Sequence, residues 1–392
     1  MTLTLIVARL PLRHGIRHAA ASYRYSDNIF VRCQLTDGSE GWGEGVPRKR
    51  LLGSSAEQLW QLFWSLPVGE WLPKPCGSWA DVFSLCQNLK LLPTERTENQ
   101  GFDHPLRCAV ELAILDAFGR SWGQSVSQGL SAFTPAQSII HPRSAAQYSA
   151  TIMGAHPVTE AIRALFIRVW GFRHCKIKVG LLKDKARELR RLRRLRQWLG
   201  RRVDIRLDAN GAWHADELPE FIEKLKPLGI SCIEDPVPVE ELPRLKDIRP
   251  RLAIPLMLDE PIVTKEDLHQ AISSGYCDLI NIRLSKCGGL LRSLEMAAYA
   301  HSNGIGFQLG CHPGESGILS AAGRHFATLV GQTRYVEGSY DRFLFRRLVT
   351  RENLTFGWGG WAPALKGPGL GVTVERSQLA RWTIHQRTVA FF

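Results

Sequence analysis

The sequence has no run of 18 or more apolar residues, so no transmembrane helix is expected and no membrane partner. Its opening, MTLTLIVARLPLRHG, lacks a basic leader and a small-residue cleavage site, and reads as a strand rather than a secretory signal. The nine cysteines include no Cys-x-x-Cys pair and no regular spacing. That argues against a zinc site and for reduced core thiols in a cytoplasmic protein. Aromatics interleaved with cations are also missing. Net charge is +13, yet the densest basic run, KDKARELRRLRRLRQWLGRR from Lys183 to Arg202, holds only Trp198. Its leucines 189, 192, 195 and 199 recur at helical spacing, which assigns the arginines to the outer face of an amphipathic helix. A nucleic-acid partner is therefore not expected, while steering of anionic small molecules is compatible with the charge.

What is present is length and periodicity. With 392 residues and 44% apolar content, the chain exceeds one ordinary domain, and two are expected. Residues 29–36 read as a strand, Asp37-Gly38 as a turn, and Gly41-Trp42-Gly43-Glu44-Gly45 as a glycine-rich strand. From about 54 to 129 the pattern is helical. After about 145, short apolar strands alternate with amphipathic helices roughly every 25 residues. The strands are predicted at 148–152, 175–179, 204–208, 230–233, 255–258, 279–284, 306–309 and 334–337. Eight such units imply a closed parallel barrel. The expected organisation is an N-terminal α+β capping domain over 1–135, a modified TIM barrel, (β/α)7β, over 140–355, and a tail, 356–392, that returns to the first domain.

In such barrels chemistry sits at the C-terminal strand ends. The second strand carries Lys176-Ile177-Lys178, whose alternation sends both lysines to one face. Two close ammonium groups depress each other's pKa, which favours a neutral amine able to accept a proton. The next three strands end in Asp208-Ala209-Asn210, Glu234-Asp235-Pro236 and Asp259-Glu260-Pro261. They offer one carboxylate each, a strand–helix unit apart. Held together uncompensated, these would repel; a hard divalent cation bound by oxygens, Mg2+ or alternatively Mn2+, resolves the conflict. Any single acid there would read as a helix cap.

These motifs, followed by Lys286-Cys287-Gly288-Gly289, resemble the enolase superfamily, and more narrowly its mandelate racemase/muconate lactonizing enzyme family, along almost the whole chain. The resemblance implies that a substrate carboxylate binds one Mg2+ per subunit and loses its α-proton to give an enediolate. It implies Lys178 as base, Lys176 as its support, and Asp208, Glu234 and Asp259 as metal ligands. Symmetric homo-oligomers are common in the family and are expected here too. Related members place a second lysine on the sixth strand, where this chain has Arg283. Strand alternation puts Asn281, Arg283 and Ser285 on one face and Leu284 and Lys286 on the other, so Arg283 is expected to face the site. A guanidinium stays protonated and makes a poor base. A one-base reaction, β-elimination of water or cycloisomerisation, is therefore expected before inversion. The alternatives are racemisation or epimerisation of an N-acyl amino acid or dipeptide, and a non-catalytic ligand-binding barrel.

Dipeptide epimerases of the subgroup carry Asp-x-Asp on strand eight, where this chain has Glu337-Gly338-Ser339. Glu337 is left to hydrogen-bond a substrate or orient Arg283. His312, after strand seven, resembles the histidine of the mandelate racemase subgroup but lacks its aspartate partner. Asn210, Glu260, His312 and Glu337 are candidate substrate contacts, as are Arg17, His18 and Arg48 in the loops His14–Tyr25 and Pro47–Gly53.

Overall fold

The structure, a computed structural model, describes residues 1–18, 21–65, 75–91, 101–154, 156–182 and 184–390. An antiparallel sheet is built from β1 (Thr2–His18), β2 (Ala21–Gln34) and β3 (Glu40–Gly45), and the tail adds its last strand (Thr383–Ala390) beside β1. Of the stretch 14–25, expected as a loop, residues 14–18 and 21–25 instead belong to the two long antiparallel strands β1 and β2, with Ile16 opposite Tyr23. Helices α1 (Lys49–Leu52), α2 (Ala56–Trp64), α3 (Trp79–Gln87), α4 (His104–Ser121) and α5 (Val126–Leu130) follow.

The alternating glycines of β3 have a packing reason. Gly41, Gly43 and Gly45 face α4, and a Cβ on any of them would overlap the helix backbone at Ala117, Ala109 or Pro105. Ala109, Ala113 and Ala117, one turn apart, keep the helix face equally thin. Strand and helix thus touch backbone to backbone, and α4 is buried nearly all round. Gly43→Ala is expected to lower stability by about 3 kcal/mol, the upper part of the range for overpacking. Gly38→Ala, at a turn with φ +86° and open space around it, should cost only about 1 kcal/mol. Denaturant midpoints of the two variants check the contrast.

After a short ribbon of β4 (Ala145–Gln147) with a tail strand (Trp361–Pro363), the chain enters a curled parallel sheet. Its strands are β5 (Ala150–Ile152), β6 (His174–Lys178), β7 (Asp204–Asp208), β8 (Ile230–Glu234), β9 (Leu256–Leu258), β10 (Leu279–Ile282) and β11 (Gly306–Leu309), adjacent in sequence order. The expected eighth strand is reduced to one bridge between Leu309 and Val336. It still closes the ring: Glu337 N–H donates to Leu309 O (2.8 Å) and Ser149 N–H to Val336 O (2.8 Å). Helices α6 (Pro157–Val169), α7 (Lys185–Leu199), α8 (Leu218–Leu225), α9 (Leu245–Ile248), α10 (Lys265–Ser273), α11 (Leu284–Cys287), α12 (Leu290–Ser302) and α13 (Gly317–Leu329) cover the outside. Helix α7 corrects one expectation: two of its arginines point inward. Buried Arg191 pairs with Glu160 and Glu188 and donates to the Lys178 carbonyl (3.0 Å), and Arg196 donates to Leu228 O (2.6 Å).

Two buried carboxylates of the first domain reach into the barrel. Glu111 of α4 accepts from the first N–H groups of α12, at Leu290 (2.5 Å) and Leu291 (3.0 Å). Glu44 of β3 accepts from Ser316 N–H (2.9 Å), Ser316 Oγ (2.8 Å) and Leu319 N–H (3.0 Å) at the start of α13. Burial pushes both carboxyl groups up to about 7. They satisfy amides that a helix start leaves without partners.

Candidate active site

The site follows from strand alternation. In β6, Cys175 and Ile177 point out to the helices while Lys176 and Lys178 point into the barrel; in β7, Arg206 and Asp208 do the same. Register then sets the neighbours: Lys176 pairs with Arg206, Lys178 with Asp208, and Asp208 with Glu234. The interior is layered. At the base Cys232, Met257, Leu279 and Tyr335 form a separate apolar cluster, with the Arg206 guanidinium 4.5 Å from the Tyr335 ring centre. Above it lies an ionic layer of Lys176, Arg206 and Glu337. At the mouth lie Lys178, Asp208, Glu234, Asp259, Asn281 and Arg283.

Lys178 Nζ donates to Asp208 Oδ2 and to Asn210 Oδ1, both at 2.6 Å. Asn210 holds that position with a left-handed backbone, φ +46°. Lys176 Nζ donates to Glu337 Oε2 (2.8 Å) and lies 3.3 Å from Asp208 and 3.4 Å from Glu234. Mutual depression of the two lysines is not what Lys176 experiences. Burial works against its ammonium, but Glu234, Glu337 and Asp208 outweigh it and raise its pKa. Asp208 is driven the other way: burial opposes its charge, yet Lys178 and Lys176 hold its carboxyl well below the usual range. Burial, then the neighbouring Asp208, raises Glu234, which accepts from Asn281 Nδ2 at 3.0 Å.

Asp259 is held by two cations. Arg283 Nη2 donates to Asp259 Oδ2, and Lys286 Nζ donates to Asp259 Oδ1 (3.0 Å), the Asp259 carbonyl (2.5 Å) and the Asn281 carbonyl (2.8 Å). This places both Arg283 and Lys286 against one carboxylate and corrects the expected division into opposite faces. Alternation holds through Arg283, but the strand ends at Ile282 and residues 284–287 coil into α11, which swings Lys286 back beneath Asp259. Gly288, at φ +84°, ends that turn. Burial lowers Lys286 to about 8, and Arg283 pushes the same way.

Glu337 accepts from Lys176 and from Arg206 in the layer beneath the mouth, while Arg283 pairs with Asp259 instead. His312 is buried, its Nδ1 lies 3.4 Å from Arg283 Nη1, and its Nε2 has no partner. Burial, then Arg283, Arg48 and Lys286, keep its pKa well below the ordinary value, so the ring is neutral. Arg48 donates to the Pro313 carbonyl and ties the first domain to the loop after β11. Glu260 is half-buried, with its backbone N–H held by Asp235 Oδ2 at 3.0 Å. The side chains of Arg17 and His18 lie outside the described residues. Sequence reasoning missed Arg206 and Asp235. Arg206 stands two residues before Asp208 on the same inward face, a signal that was available. Asp235, at φ +40°, also accepts from Asp259 N–H (2.8 Å) and so fixes the end of β9.

Among the described residues, no three acidic, imidazole or thiol side chains already converge on a point that could hold an ion. The donor chemistry nonetheless suits a hard cation. Asp208, Glu234 and Asp259 are wholly buried at the ends of three adjacent strands, and Asp208 Oδ1 is buried with no partner.

Residues 159–378 match the family of enolase C-terminal domain-like proteins. The chain belongs to the enolase superfamily, whose members of this type are enzymes. It is 27% identical over 386 residues to muconate cycloisomerase 1 of Rhodococcus opacus, covering 95% of both chains. It is 27% identical over 327 residues to the N-succinyl-L-Arg/Lys racemase of Bacillus cereus, covering 82% of both. The crystal structure of that racemase superposes with a TM-score of 0.83 over 100% of this chain and 99% of its own, at 24% identity. A dipeptide epimerase from Cytophaga hutchinsonii, solved with Mg and D-Ala-L-Val, gives 0.82 over 100% and 99% at 22% identity, a likeness of fold.

Proposed function

We propose that this enzyme abstracts the α-proton of a small carboxylate substrate with Lys178 and completes a one-base reaction, β-elimination of water or cycloisomerisation. The observation that carries this reading is the asymmetry of the site. A lysine stands on one side of the carboxylate cluster, and Arg283, committed to Asp259, stands on the other. A guanidinium keeps its proton, so it supplies fixed positive charge and no second base.

Asp208, Glu234 and Asp259 would hold Mg2+. When bound, the ion would supply Lewis-acid stabilisation of the charge that builds on the substrate carboxylate. The chain's own groups do the rest. Lys178 Nζ takes the proton, with Asn210 fixing its position. Lys176 stays an ammonium, because its three carboxylates favour the charged form, and adds a cation behind the base. Arg283 and Lys286 balance Asp259. Asp259→Asn is expected to weaken Mg2+ binding by more than the roughly 10–100-fold that losing even an outer partner costs. Calorimetric titration checks this, and unchanged affinity would remove Asp259 from the ligand set.

A second reading, epimerisation of an N-acyl amino acid or dipeptide, is favoured by the unpartnered Nε2 of neutral, buried His312 beside Arg283. It is also the activity named for several relatives. A mass-spectrometric screen in D2O with Mg2+ separates the two. The substrates are N-acyl amino acids, dipeptides, acid sugars, and hydroxy and unsaturated diacids. Deuterium uptake or water loss without inversion supports the one-base reading, whereas rapid inversion defeats it.

A further inference from the structure

Helix α6 is apolar on two sides. Ala164 and Ile167 face the barrel and are buried. Val158, Ile162, Leu165, Phe166 and Val169 recur at helical spacing on the opposite side, between 47% and 70% exposed. A surface barrel helix normally turns polar residues outward. The next helix does so, with Arg187, Arg190, Arg193 and Arg194 exposed. The apolar stripe also continues off the helix. Phe166 stacks on Trp170 with ring centres 5.0 Å apart, and Trp170 lies 5.0 Å from Trp358. Trp358 and Trp361 are 62% and 48% exposed. With large aromatics presenting about 150–250 Å2 each when fully open, these side chains leave roughly 700 Å2 of apolar surface in contact with water. That exceeds the roughly 300–600 Å2 of the largest patch on a typical monomer.

We propose that this face binds a second copy of the same chain about a two-fold axis running along α6. Two observations select this occupant. The open area is close to the roughly 800 Å2 that each partner contributes to a stable interface, and it has the apolar character of a homodimer surface rather than of a transient contact. The flanks of the stripe are also complementary to each other. Arg168 lies on one side, beside Gly200 at the end of α7, and Trp170 and Trp358 lie on the other, beside Gly171. A two-fold axis along the helix sets the guanidinium flank of each copy over the indole flank of its partner, a favourable cation–π pairing that occurs twice. The inference does not depend on the proposed chemistry.

Sedimentation of the full chain over a concentration series tests it. The wild type is expected to associate through this face, and the double variant Ile162→Glu/Phe166→Glu to associate roughly 100-fold more weakly or not at all. Val239→Glu, at an isolated exposed position, serves as the control and should leave association unchanged. Amide exchange in residues 158–169 of the wild type should slow as concentration rises, a readout that needs no variant. The proposal is overturned if the double variant associates like the wild type or if exchange in α6 ignores concentration. It is equally overturned if the wild type stays monomeric and its α6 is instead protected by phosphatidylglycerol vesicles.

Discussion

Lys178→Met is expected to lower α-proton exchange by roughly 10^4-fold, the upper end for a positioned base, while the protein stays folded. Methionine keeps the length of the side chain and removes only the group that accepts the proton. Asp208 loses one of its two lysine partners but keeps Lys176 at 3.3 Å, so no carboxylate is left bare. Divalent cation affinity should therefore be kept or strengthened, since a competing positive charge has gone. Exchange is measured by mass spectrometry in D2O and binding by calorimetry. Exchange that persists near the wild-type rate would assign the base to another group, with His312 the first to be tried.

The second large effect concerns the ionic layer under the site. Glu337→Leu is expected to cost about 3–5 kcal/mol, because it strands the buried Arg206 guanidinium and takes the nearest carboxylate from Lys176, which keeps Asp208 and Glu234. Arg206 would keep only Ser149 Oγ, at 3.1 Å, and the face of Tyr335. The double variant Arg206→Met/Glu337→Leu should recover much of the loss, since an apolar pair of similar volume removes the charge problem. The pair also carries a pH signature. Burial raises the cost of charge on Glu337, but Lys176 and Arg206 overcome it and set the group at about 2, against 4.5 in the unfolded chain. Between these values the unfolded chain binds the extra proton. The stabilisation is thus complete above about 4.5 and is lost as pH falls toward 2. Chemical denaturation across that range should show this slope in the wild type and its loss in Glu337→Leu.

The parts of the site legible in the sequence were those that depend on period alone. A carboxylate at each of three strand ends, one strand–helix unit apart, needs only the barrel repeat to become neighbours. Alternation likewise carried Arg283 to the inward face. Alternation misplaces Lys286 because it fails past the point where strand becomes helix, and Gly288-Gly289 is the signal that the chain turns there. The link from Glu337 to Arg206 and Lys176 needs the ring to be closed, so that the last strand meets the first. No local pattern encodes that closure. The strand ends at 14–18 and 21–25 carry no alternating apolar pattern in the sequence, because HGIRH and ASYRY are mostly polar. The leucine spacing of α7 sends its arginines outward, whereas Arg191 and Arg196 have buried carboxylates and carbonyls to satisfy.

Glu44 and Glu111 give the molecule a property that neither domain has alone. Each closes the start of a barrel helix from across the domain boundary, so separating the halves would uncap two helices, take the helix amides from Glu111 and leave Glu44 with Asn28 Nδ2 from its own sheet. Such an arrangement makes unfolding cooperative across the boundary, with one transition in place of two. It also works against hinge motion of the first domain as a way of admitting substrate. Access, and any drift toward new substrates, then falls to the segments around the barrel mouth, which can change without loosening the joint beneath them.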